Sequence, residues 1–172
     1  DTDSLYLRFV VQDNNICSPD EGAVIWDADG VEFFYDPKDN ATNNIPAGVY
    51  KFLVNIDGAT LVSRSTGSGW QDLAENVHGM GCRVERLADG YIVYMSLPWR
   101  RIGRRPSNSR FSGYVQLHNK DVRGGRAYIY HEPLSGTDPG RTETWWNTTL
   151  ESAPANNIND LNTNDAQLII EG

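Results

Sequence analysis

No stretch of this chain approaches the roughly 20 consecutive apolar residues that a membrane helix needs. Basic charge is scarce as well: 15 lysines and arginines stand against 23 aspartates and glutamates, a net charge of −8. That balance argues against general nucleic-acid binding, which needs a basic footprint. Catalytic signatures are missing. There is no Gly-x-Ser-x-Gly elbow, no His-Glu-x-x-His and no phosphate-binding glycine loop. Carboxylates are plentiful, yet nothing marks the facing pair that a glycosidase needs. Cysteine is limited to Cys17 and Cys82, which fit no metal or redox spacing. No signal segment is visible ahead of Asp1-Thr2-Asp3-Ser4; the expectation is a secreted protein whose targeting segment has been removed. An even cysteine count in such a protein predicts a Cys17–Cys82 disulfide, with two buried thiols as the alternative.

What is present is the makings of one globular domain. The 172 residues suffice for a sizeable core, and 39% hydrophobic with 10% aromatic content is normal for a packed protein. The basic residues that do occur are unevenly spread. Arg100, Arg101, Arg104, Arg105 and Arg110 lie between Trp99 and Phe111 with no acid among them. They read as a solvated loop, or as a landing site for an anionic partner such as a uronic or sulfated glycan. Asn40 and Asn147 stand in Asn-x-Thr triplets, candidates for glycosylation in a host that glycosylates its secreted proteins.

The hydrophobic period is two almost everywhere. It predicts strands at 5–12, 31–35, 50–56, 59–64, 91–97, 113–119, 126–132 and 166–170. The pairs Asp57-Gly58 and Asp89-Gly90 are hairpin turn signals. Helix signals are thin, limited to a turn or two in WQDLAENV at 70–77 and a short start at Pro98–Ile102. No repeat or linker divides the chain, so residues 1–172 read as one all-β domain, a single antiparallel β-sandwich of jelly-roll or immunoglobulin-like type.

One stretch calls for chemistry. In WDADGVEFFY, residues 26–35, Val31, Phe33 and Tyr35 share one strand face, while Glu32 interrupts the other and Trp26 sits upstream in a polar loop. A tryptophan beside a carboxylate suits a sugar. A pyranose has an apolar face of C–H groups that stacks on an indole, and its hydroxyls donate to a carboxylate in charge-assisted bonds.

The order of blocks extends that reading. LYLRFVVQD is followed by W-x-x-D-x-V-E-x-F, by an F-x-V-N strand and by DGYIVYMSLPW. A glutamine-bearing strand, GGR before the next strand, a late tryptophan and a closing L-x-I strand complete the series. From Leu5 to Ile170 the chain resembles a family 9 carbohydrate-binding module, within the sandwich group that includes the dopamine-monooxygenase N-terminal-like domains. The resemblance implies a polysaccharide or oligosaccharide ligand held between two tryptophans. Trp26 would be one wall, and Trp145 or Trp146 the other. Glu32 would accept hydroxyls, and Asn55, Gln116 and Arg126 would add polar contacts. It also implies a non-catalytic protein, or a module of a larger glycoside hydrolase.

Two departures stand out. The family commonly has an arginine where this chain has Leu53, which removes a strong donor. The family also has strands ahead of LYLRFVVQD, so the expectation is a sandwich whose first strand lies at an open edge, covered by an upstream segment or by a neighbouring subunit. Two other functions therefore remain. One is a structural subunit of an extracellular assembly built by strand donation at that edge. The other is a haem b electron carrier, with Met80, Met95, His118 and His131 as candidate ligands. Asp13, Asp20, Asp27, Asp29, Asp36 and Asp39 cluster in loops near the first strands and suggest a structural Ca²⁺, though without EF-hand spacing.

Overall fold

Strand β1 (Ser4–Gln12) turns Leu5, Leu7, Phe9 and Val11 to the core, and each lies opposite a core residue of β7 (Gly90–Pro98): Leu97, Met95, Val93 and Tyr91. The structure, a computed structural model, describes residues 3–38, 45–103, 110–120, 126–130, 146–149 and 168–169. Between β1 and β7 come β2 (Gly30–Asp36), β3 (Tyr50–Asn55), β4 (Thr60–Ser65), β5 (Trp70–Asp72), the one-turn helix α1 (Glu75–His78) and β6 (Gly81–Leu87). After β7 follow β8 (Arg110–Lys120), β9 (Arg126–Tyr130), β10 (Trp146–Thr149) and β11 (Leu168–Ile169).

The strands form two sheets. The smaller has the order β11-β1-β7-β6, and the larger runs β10-β8-β2-β3-β4-β5 with β9 also paired to β8. Among the described residues all pairings are antiparallel except β1 with β11. This is the expected β-sandwich. Its core is filled from both inner faces, because side chains alternate along each strand. Val31, Phe33 and Tyr35 of β2 meet Phe9 and its neighbours, with the Phe9 and Phe33 rings 6.3 Å apart across the sheets. Phe33 is fully buried, so cutting it to alanine costs about 3–5 kcal/mol. Trp99, next to the arginines, is buried in the same core.

Two expectations need correction. The edge of β1, expected to await an outside strand, is occupied at Phe9 and Val10 by β11, which runs parallel to it. Cys17 and Cys82 are not bonded to each other, and neither is in a disulfide. Cys17 lies in the loop after β1 and donates to Asn15 O, whereas Cys82 is the second residue of β6 and donates to Gly58 O of the β3–β4 turn. Each thiol is therefore tied to a different part of the backbone. Of the turn or two expected within 70–77, one forms at Glu75–His78, while Trp70–Asp72 pairs with β4 as an edge strand.

Both hairpin signals are realised. Gly58 has φ +79°, a left-handed conformation that favours glycine. At Gly90 a Cβ would fall 2.0 Å from Val11 O, so no side chain fits there.

Candidate functional site

Alternation gives the larger sheet a second face, directed away from the core, and its register arranges that face in rows. One row joins His118, Gly30 and Asn55 across β8, β2 and β3. The next joins Gln116, Glu32, Leu53 and Leu61. A third joins Tyr114, Phe34, Lys51, Ser63 and Asp72. Rows are two residues apart along the strands, about 6.6 Å.

Glu32 is the centre of this face. It is buried, and a buried carboxylate needs partners. Oε2 lies 3.1 Å from His118 Nε2, and Oε1 lies 3.7 Å from Lys51 Nζ. Gln116 Nε2 stands 3.4 Å from the same histidine nitrogen. Leu53, at the position where the family resemblance implied an arginine, is 2% exposed and pairs directly with Glu32. The cations beside Glu32 come instead from Lys51, one row away on the same strand, and from His118 when protonated. The sequence reading missed both in this role. The spacing could have disclosed Lys51, because residues two apart on a strand share a face.

Trp26 stands at one end, at 39% exposure, in the loop between β1 and β2. Three residues, Asn55, Asp29 and Lys120, fix that loop. Asn55 Nδ2 donates to Ile25 O at 3.4 Å, while Asn55 Oδ1 accepts the Asp57 and Ala59 N–H groups of the turn. Fully buried Asp29 accepts from the backbone of Cys17 and from Lys120 N at 2.7 Å. Its burial raises its pKa, and the two N–H groups oppose that rise. Finally, the Lys120 ammonium lies 2.9 Å from Asp20 Oδ2, 3.7 Å from Asp27 Oδ2 and 3.4 Å from Ser18 O. Its hydrogen bond to Asp20 raises the lysine pKa.

These contacts bear on the expected Ca²⁺. Asp20 and Asp27 gather around an ammonium, Asp13 accepts from Asn15 N, and Asp36 accepts from Lys38 N. Among the described residues, no group of three or more His, Cys, Asp or Glu converges on a point. Asp39 lies outside the described residues.

The other expected contacts lie toward the C-terminus. On β9 the backbone of Arg126 pairs with Lys120 of β8, and on β10 that of Trp146 pairs with Gly113 of β8. Asn147 pairs with Ser112. Trp145, Asn40 and His131 lie outside the described residues. Met80 and Met95 belong to the buried core.

The family model "Carbohydrate family 9 binding domain-like" matches residues 1–153. The chain belongs to this family. As a family 9 module it has structural relatives that share its fold at low identity. One is a family 9 carbohydrate-binding module of Caldicellulosiruptor kristjanssonii in complex with glucose. It is 16% identical with a TM-score of 0.68, over 91% of this chain and 75% of that one. The Caldicellulosiruptor module in complex with cellotriose gives a TM-score of 0.66 at 16% identity, over 91% of this chain and 76% of that one. No curated protein matches the module in sequence.

Proposed function

We propose that this module binds a neutral saccharide, without catalysis, on the outward face of its larger sheet. The observation that carries the reading is an exposed indole, Trp26, in a loop that Asn55 ties to one end of a face whose centre is the buried carboxylate Glu32. The Caldicellulosiruptor relative is seen with glucose and with cellotriose, which sets the class of ligand to try first.

The chemistry is a division of labour. Trp26 offers a flat apolar surface to the C–H face of a pyranose ring. Glu32 has acceptor sites beyond those used by Lys51 and His118, since a carboxylate has about four. Gln116, Lys51 and His118 supply amide, ammonium and imidazole groups for the remaining hydroxyls. Asn55 holds Ile25 and thereby the backbone next to Trp26. The family resemblance would add a polar contact from Arg126 and a second wall from Trp145 or Trp146.

A glycan array followed by calorimetry tests it. Glucose and cello-oligosaccharides should bind the wild-type module. Glu32→Gln should weaken them about tenfold or more, the loss of one charge-assisted pair. Binding to no saccharide on the array would contradict the reading.

A further inference from the structure

Trp70 is a large aromatic side chain on a strand that buries nothing. All three residues of β5 are exposed, and Trp70 itself is 36% exposed. Single exposed apolar residues are ordinary on protein surfaces. Trp70 is not single. Its ring meets the ring of Phe34 edge-on, with centroids 6.0 Å apart and planes at 69°. Phe34 in turn packs on Tyr114 at 5.8 Å, within the apolar cluster of this outward face. The Lys51 ammonium stands 5.0 Å from the Trp70 ring centre. The indole is thus held in one orientation while a third of its surface stays open.

Its neighbours are polar and of the right kind. The same Lys51 ammonium lies 3.7 Å from Glu32 Oε1, so one cation joins Trp70 to the centre of the site. Asp72, on the same strand face as Trp70, accepts from Ser63 Oγ at 2.5 Å, which fixes its carboxylate. An open indole, a partly exposed ammonium and an oriented carboxylate form the same combination as Trp26 with Glu32, repeated toward the β5 edge.

We propose that Trp70, Lys51 and Asp72 form a second saccharide subsite, which takes a further pyranose ring of an oligosaccharide whose first ring lies at Trp26 and Glu32. This rests on the sugar-binding reading above. The indole stacks on the ring's C–H face, Asp72 accepts its hydroxyls, and Lys51 donates to a hydroxyl between the two rings. Chain length, rather than sugar identity alone, then sets affinity.

The test compares glucose with cellohexaose by titration calorimetry on the full chain, using wild type, Trp70→Ala and Trp70→Phe. Trp70→Ala should lower affinity for cellohexaose by about 3–10-fold, the scale of one aromatic stacking contact, and leave glucose unchanged. Trp70→Phe, which keeps a flat ring, should recover part of the loss. Equal loss on both ligands, or loss on neither, overturns the subsite while leaving the sugar site standing. If wild type binds neither ligand, the sugar-binding reading itself fails and the subsite falls with it.

Discussion

The Lys120 ammonium lies 2.9 Å from Asp20 Oδ2, joining the last residue of β8 to the loop that carries Trp26. Asp27, the residue after Trp26, lies 3.7 Å from the same ammonium. Lys120 therefore acts on a ligand through the loop and not by touch. Lys120→Met should weaken saccharide binding several-fold, and Lys120→Arg should restore part of it, measured by calorimetry. Alkali should mimic the first variant. The raised lysine pKa means that the ion-pair contribution is fully present below the ordinary 10.5 and is lost as pH climbs through the higher folded value. The stability gap between wild type and Lys120→Met should stay constant up to about pH 10 and narrow above it. A gap independent of pH throughout would remove the ion pair from the account.

His78 predicts the opposite end of the pH scale. Its ring is buried, and Nδ1 accepts the Met80 N–H at 3.0 Å, which requires a neutral nitrogen. Burial lowers its pKa below the ordinary 6.5, while Glu75 pulls weakly the other way. The unfolded chain then takes up a proton first as pH falls. Stability should drop as pH goes below 6.5, and the loss should level off below the folded value. His78→Asn, which keeps an acceptor but cannot titrate, should flatten this part of a denaturation series. An unchanged pH slope in the variant would show that other groups set it.

Gly30 separates His118 from Asn55 at the Trp26 end of the face. A Cβ there would lie 2.6 Å from Val54 O and 2.9 Å from Asn55 Cα, both backbone atoms that cannot swing aside. Gly30→Ala should cost about 1–3 kcal/mol, as overpacking does, and should weaken saccharide binding by shifting β2 against β3. Chemical denaturation reads the first effect. A neutral substitution would mean that the two strands yield more readily than their pairing implies.

Thiol chemistry checks the cysteine correction. Titration of the denatured, unreduced protein should find two free thiols. Cys82 is exposed, yet partial desolvation by its neighbours raises its pKa, so it should alkylate more slowly than a fully solvated thiol near neutral pH. A count of zero would restore the disulfide.

The sandwich itself was legible because its strands obey a simple rule. Val31, Phe33 and Tyr35, or Tyr91, Val93, Met95 and Leu97, alternate with residues directed away from the core. β6 was not legible: GCRVERL is largely exposed on both faces, so burial leaves no period in it. β5 was not legible, because WQDLAENV carries no period of two, yet the chain pairs Trp70–Asp72 with β4 before it turns. Trp70 was therefore not singled out for the site. Trp26 and Glu32 could be singled out because a tryptophan in a polar loop and a glutamate on an apolar strand are both out of place locally. Lys120 was not legible, since it is 100 residues away from Asp20 in sequence and only the fold brings a cation to those acids. The cysteine pairing failed for the same reason, because an even count carries no information on which strands and loops hold the thiols.

The most direct test of the account is calorimetric titration of cellotriose into wild type and Trp26→Ala, with thermal melts of both. Trp26 is exposed rather than packed in the core, so its removal should leave the melting temperature nearly unchanged. Affinity should fall about tenfold or more, equivalent to ~1.4 kcal/mol of lost stacking. Undiminished binding by Trp26→Ala, or a melting temperature that collapses with it, would contradict the placement of a sugar on this indole.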